Sequence, residues 1–266
     1  MTPRVRDIHF SQILQTLKPS ICPQESHDKV QSIFKRSRST RLPEPEQREI
    51  SRTIEEWFTS SKSSIFLLRV GLRAERKAKE LTAEVVSLLR SKSLNVAWRL
   101  SPVGCSSNPV KSSISEVLQA LVYQILQLDP SAMCDPEELS VARFSAMHSE
   151  SEWASLLQKL LHRLSRCYIV VETHDLFKAN QDDSSWTTQF LRTLYGLADQ
   201  VTQNGDVVKF LIVCYGSKQG VEPDAPRGMH HVSVLLRRPA ITPISRKHTA
   251  MHQKHGKGWR RCSPKI

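Results

Sequence analysis

Four short runs of this chain are apolar almost without interruption: SIFLLRVG at 64–71, LNVAWRL at 94–100, CYIVVE at 167–172 and VVKFLIVCYG at 207–216. A strand with one wet face alternates apolar and polar residues, so a strand without alternation must be covered on both faces. Between these runs the apolar residues fall at helical spacing. The first such stretch has Ala74, Ala78, Leu81, Val85 and Leu88, and the next has Ile114, Val117, Leu121, Ile125 and Leu128. Two more follow, Trp153, Leu156, Leu160 and Leu164, then Phe190, Leu191, Leu194, Leu197 and Val201. Ser113 with Glu116, and Ser149 with Glu152, have the spacing of a capping box at a helix start. Buried strands joined through helices predict an α/β fold with a parallel sheet of four to five strands flanked by helices. His230–Leu236 is the candidate fifth strand.

The ends differ from this middle. Residues 1–42 read as an N-terminal helical or irregular segment with a linker. Ile8, Phe10, Ile13, Leu14 and Leu17 suggest a helical stripe, Val30, Ile33 and Phe34 form a second apolar group, and KRSRSTRLPEPEQ at 35–47 reads as linker. A helix is predicted after Pro45, with Ile50, Ile54, Trp57 and Phe58 on one face. The α/β domain is bounded at 43–224, and 225–266 is expected to be a basic tail, disordered from 237 on.

The formal charge of +12 is concentrated at these ends. Residues 1–42 hold 8 Lys and Arg against 3 Asp and Glu, residues 43–224 hold 20 against 23, and residues 225–266 hold 10 against none. The folded middle is thus near neutral, and a basic chain average says nothing of nucleic-acid binding by the core. Contact with nucleic acid or an anionic surface is expected only through the tail, where Arg237, Arg238, Arg246, Lys247, Lys254, Lys257, Arg260 and Arg261 lie. No transmembrane segment is expected, since no run approaches the roughly 18 apolar residues one needs. MTPRVRDIHF lacks an apolar signal core. Cys22, Cys105, Cys134, Cys167, Cys214 and Cys262 form no metal-binding spacing, so neither zinc nor haem is expected. Cys167 and Cys214 read as buried thiols, and a cytoplasmic or nuclear location is expected.

Ligands of an open parallel sheet sit at the carboxyl ends of its strands. After the first strand comes Gly71-Leu-Arg-Ala-Glu-Arg76-Lys77-Ala78. A phosphate-binding loop reads GxxxxGK[ST]. Gly71 and Lys77 stand at that spacing, Arg76 replaces the second Gly, and Ala78 replaces the Mg²⁺-binding hydroxyl. The plain alternative is an ordinary strand-to-helix turn with Arg73, Arg76, Lys77 and Lys79 solvated. After the third strand come Glu172-Thr-His-Asp175-Leu176-Phe177, where a Walker B strand would place a carboxylate for Mg²⁺. His174 reads as a solvated loop histidine. Ser145, His148 and Asp175 lack the Gly-x-Ser-x-Gly elbow of a hydrolytic triad. Trp153 and Trp186 read as packing anchors.

Trp57 to Tyr215 resembles the NTPase domain of fungal NACHT-type STAND proteins of the nephrocystin-3-like kind. The resemblance is carried by the Trp57 helix before the first strand, by Val96-Ala97-Trp98, and by Leu118-Gln-Ala-Leu121-Val-Tyr-Gln124-Ile-Leu126. It covers about 60% of the chain. It implies a P-loop NTPase-like fold in which the 207–215 strand separates the 64–70 strand from the 167–172 strand. It also implies ATP or GTP with Mg²⁺ as ligand, a degenerate Walker A at Gly71, Arg76, Lys77 and Ala78, and a Walker B-like pair in Glu172 and Asp175, with Glu172 the metal ligand. The family's water-activating acid falls on Leu176. Arg76 puts a side chain where the loop should close on phosphate, Ala78 removes an oxygen ligand, and Leu176 removes the acid. The resemblance with these losses implies a non-hydrolysing pseudo-ATPase that binds nucleotide weakly and acts with protein partners. The helical and repeat modules that usually follow the domain are not in the sequence. Two other readings stand beside it: a live ATP- or GTP-dependent switch using Lys77 and Glu172, and a nucleic-acid-associated protein using its basic tail.

Overall fold

The computed structural model describes residues 3–36, 44–71, 73–101, 113–130, 144, 149–180, 183, 185–215 and 230–236. The elements run α1 (Pro3–Leu17), α2 (Pro23–Arg36), α3 (Glu44–Thr59), β1 (Ser64–Val70), α4 (Glu75–Ser91), β2 (Val96–Arg99) and α5 (Ile114–Leu128). They continue with α6 (Glu150–His162), β3 (Arg166–Glu172), α7 (His174–Ala179), α8 (Trp186–Gln203), β4 (Val207–Tyr215) and β5 (His230–Leu236). The 37–43 part of the linker and the tail from 237 lie outside the described residues. So do Ser145, His148, Cys105, Cys134 and Cys262.

The five strands form one parallel sheet in the order β2-β3-β4-β1-β5. β4 therefore lies between β1 and β3, as expected. β5 pairs with β1 from Ser64↔His230 to Val70↔Leu236, so the sheet continues past the boundary drawn at 224. Three of the seven residues of β5 are exposed and only Leu236 is buried, which is why its sequence, HHVSVLL, carries a weaker apolar signal than the inner strands.

The absence of alternation has the cause expected of it. On β3, Cys167, Ile169 and Val171 join one apolar layer with α1, α5, α6 and α8, while Tyr168 and Val170 join the other with α2, α3 and α4. Both faces are covered, so apolar residues are favoured at nearly every strand position. Ile13 and Leu17 of α1 and Val30 of α2 are at most 1% exposed, so the N-terminal helices belong to the same cores. Trp153 stacks on Phe144 and Trp186 on Phe190, both buried as packing anchors. The Ser149–Glu152 capping box is reciprocal, while at α5 the Ser113 hydroxyl accepts the Glu116 N–H.

Two buried polar groups organise the sheet margins. The Gln124 amide lies against β2, accepting the Trp98 N–H at 3.0 Å and donating to the Trp98 carbonyl at 2.8 Å. A side-chain amide thus completes the outer edge of β2 as a neighbouring strand would. At the opposite end, the Lys209 ammonium of β4 is fully buried and donates to the carbonyls of Trp57 (2.7 Å) and Lys62 (3.1 Å) and to the Ser64 hydroxyl (3.3 Å). It neutralises the carbonyl end of α3 and ties that helix beneath the sheet. Burial, with a smaller contribution from Arg166, pushes Lys209 down to about 8.

Burial pushes the Cys167 thiol up to about 12, from an ordinary value of 9.0. A group whose native value is raised contributes stability fully below its unfolded value and loses it as pH climbs toward the native one. The stability cost of Cys167→Ala should therefore shrink between pH 7 and pH 10.5 by about 2 kcal/mol. Denaturant unfolding of both proteins at the two pH values measures this.

Candidate functional site

The carboxyl ends of β1, β2, β3 and β4 bring together Gly71, Arg99, Ser101, Glu172, Thr173 and Tyr215. Asp175 and His174 arrive on α7, and Lys77 and Lys79 on α4. Strand alternation decides which side chains meet. Glu172 shares the face of Tyr168 and Val170, the face covered by α4. It is carried below the surface at 1% exposure.

A carboxylate so buried needs partners. Glu172 Oε2 accepts the Lys79 ammonium at 2.8 Å and the Ser101 N–H at 2.7 Å, and Oε1 accepts the His174 N–H at 3.2 Å. Lys79 also donates to the Ser101 carbonyl at 3.2 Å, and its side chain is 10% exposed. Asp175 is engaged on both oxygens. Arg99 grips it with paired bonds of 2.9 and 2.7 Å, and the Ser101 hydroxyl donates to Oδ1 at 2.6 Å. Burial opposes ionisation of Asp175, but the Arg99 guanidinium and Ser101 outweigh it and hold the carboxyl below the usual carboxylate range. Lys79 with Glu172, and Arg99 with Asp175, form two ion pairs joined through Ser101. They link α4 to the ends of β2 and β3.

The Gly71–Ala78 segment is placed as follows. The Gly71 N–H donates to the Leu236 carbonyl of β5 at 2.8 Å, and its own carbonyl accepts the Ala74 N–H at 3.2 Å. Arg73 has the positive φ of 65°. α4 starts at Glu75 without a side-chain cap, so Arg76 and Lys77 already lie in its first turn. Arg73 and Arg76 are exposed, and Arg76 lies over the Phe34 ring of α2, 5.7 Å from its centroid. Lys77 turns back along the helix to Glu80 at 2.9 Å. Ala78 is fully buried in the apolar layer. Lys79, which the plain-turn reading leaves in solvent, is buried against Glu172.

Leu176 is fully buried in the layer formed by α5, α6 and α8. A carboxylate at that position would enter an apolar core. His174 is half-buried with its ring 4.7 Å from that of Tyr215. Burial and then the charge of Lys79 hold its pKa below the ordinary histidine value, so it is neutral at pH 7. Tyr215 is 5% exposed, and burial followed by the Glu172 charge raises its pKa strongly. Among the described residues no hydrogen bond of normal geometry reaches its hydroxyl, although Glu172 lies near enough to act on it.

The described residues of the site do not fit a magnesium ion. Mg²⁺ requires near-octahedral oxygen ligation at about 2.0–2.1 Å. Glu172 Oε2 is committed to an ammonium and an amide, both Asp175 oxygens to Arg99, and Ala78 offers no oxygen. Among the described residues no group of three His, Cys, Asp or Glu side chains is placed to hold a metal. No described helix is long and apolar enough to cross a membrane.

Arg99 and Ser101 escape a motif search because neither belongs to the GxxxxGK or strand-carboxylate patterns. The signal was their position at the carboxyl end of a buried strand, the criterion that singles out Glu172. The chain matches no protein-family model and no curated protein.

Proposed function

We propose that this chain is a degenerate NACHT/STAND-like P-loop NTPase domain that does not hydrolyse nucleotide and serves as a protein-interaction or signalling module. One observation carries the reading: the strand-end carboxylate of Glu172, in the place of a Walker B acid, is bound by the chain's own Lys79 ammonium at 2.8 Å. The strand order supports it, since β4 between β1 and β3 is the arrangement the resemblance implies. Phosphoryl transfer depends on positioned charge around the phosphates and metal. Here the basic and acidic groups neutralise one another, Lys77 is engaged by Glu80, and the positions of Ala78 and Leu176 lie in apolar layers. What supports weak binding of a nucleotide without metal is the uncapped start of α4 with the exposed Arg73 beside it. In this reading the domain contributes a fixed surface to a protein assembly, and the cytoplasm or nucleus is where it would act. Calorimetric titration of nucleotide with and without Mg²⁺, together with a turnover assay, tests it.

A further inference from the structure

We infer that Lys79 is a tethered stand-in for a divalent cation, which closes the carboxyl end of β3 to metal. The oxygens it binds are of the kind a hard cation selects, a carboxylate and a backbone carbonyl. Glu172 supplies the first at 2.8 Å and Ser101 the second at 3.2 Å. They come from two different strand ends, and Lys79 itself comes from α4. One cation therefore joins three elements, as a bound metal ion does. The pair is nearly dry, with the Lys79 side chain 10% and the Glu172 side chain 1% exposed. This sets it apart from the surface ion pairs of the chain. Arg52 and Glu56, for instance, are 74% and 57% exposed.

Among the described residues the neighbouring groups leave no second seat. Asp175 is held on both oxygens by Arg99, and the Ser101 N–H takes the remaining approach to Glu172 Oε2. Two further groups stand against the pair: His174, whose N–H donates to Glu172 Oε1 at 3.2 Å, and the buried Tyr215. An exchangeable ion comes and goes with chelators and with nucleotide. A lysine on the helix facing the carboxylate cannot. The inference rests on the contacts of Glu172 and not on the nucleotide reading, so its test uses metal alone.

The experiment adds Mn²⁺ to the full-length protein and follows thermal unfolding, together with the electron paramagnetic resonance of free Mn²⁺. Wild type should take up no Mn²⁺ through Glu172 and keep its melting temperature. Lys79→Met leaves a buried carboxylate without a counter-ion and should melt lower. Low-millimolar Mn²⁺ should return at least half of that loss, because an ion that binds only the folded state stabilises it. Lys79→Met combined with Glu172→Gln should ignore Mn²⁺. If Lys79→Met does not fold in chelator, Mn²⁺ should restore its helical circular dichroism. Two results overturn the inference. One is Mn²⁺ uptake by wild type that Glu172→Gln abolishes. The other is a Lys79→Met protein whose unfolding or circular dichroism does not respond to Mn²⁺. Uptake by wild type would also remove the contact that carries the proposed function, whereas a Lys79→Met protein silent to Mn²⁺ would leave that reading standing.

Discussion

Gln124→Leu should destabilise the protein by about 4 kcal/mol, since it strands two buried backbone groups at roughly 1–3 kcal/mol each. The groups are the N–H and carbonyl of Trp98, both satisfied by the Gln124 amide. Leucine has similar volume and keeps the helix, so the loss isolates the hydrogen bonds. For a domain of this size the melting temperature should fall by roughly 10 °C. The outer edge of β2 would also lose the group that completes its ladder. An unpaired edge promotes association, so light scattering near the transition should rise with protein concentration. Gln127→Leu is the control. It changes the exposed side of the same helix and should stay within about 0.5 kcal/mol of wild type. Equal effects of the two substitutions would show that Gln124 acts only through packing.

Arg99→Met should cost about 3 kcal/mol near neutral pH, because it leaves a largely buried carboxylate without its partner. The partner is Asp175, whose side chain is 21% exposed and bound to Arg99 through both oxygens. The pH dependence gives a sharper test than the magnitude. In wild type the native value of Asp175 lies below its ordinary 3.8. That depression contributes stability present above the unfolded value and lost as pH falls through the native one. Without Arg99 burial dominates and the native value rises above the unfolded one, so the sign reverses. The cost of Arg99→Met should therefore be largest at pH 7 and shrink as the pH falls toward 4. Asp175→Asn in the same background should recover part of the loss at pH 7 and remove this pH dependence. A cost independent of pH would mean that Arg99 contributes only by packing.

The fold was legible because its evidence is a repeated local pattern. The inner strands are buried on both faces over most of their length, and the polar residues within them are either satisfied in the core, as Lys209 is, or partly exposed, as Arg69 is. β5 was harder to place, since an edge strand half in solvent keeps too few apolar positions, and the boundary at 224 cut it from its sheet. That the candidate residues gather at the strand ends was legible, and their wiring was less so. Lys77 and Lys79 are two residues apart, which on a helix turns them through about 200°. Only the start of α4 at Glu75 and its seating on the sheet decide that Lys79 meets Glu172 while Lys77 turns to Glu80. The role of Arg99 depends on the pairing of β2 with β3, which no local motif records. Gln124 stands in the sequence only as part of the string that carries the resemblance, and its task emerges only when α5 lies against Trp98.

The most direct test of the central claim is calorimetric titration of ATP and of ADP into the full-length protein, with Mg²⁺ and with chelator, followed by a turnover assay on the same sample. The account predicts weak binding at most, the same in both conditions, and no release of phosphate above background. Lys77→Ala should change neither, because the Lys77 ammonium is engaged by Glu80 rather than aimed at a phosphate. Tight binding that requires Mg²⁺ and disappears in both Lys77→Ala and Glu172→Gln would contradict it, and would mean that Lys79 yields its place on Glu172 to the metal of a working site.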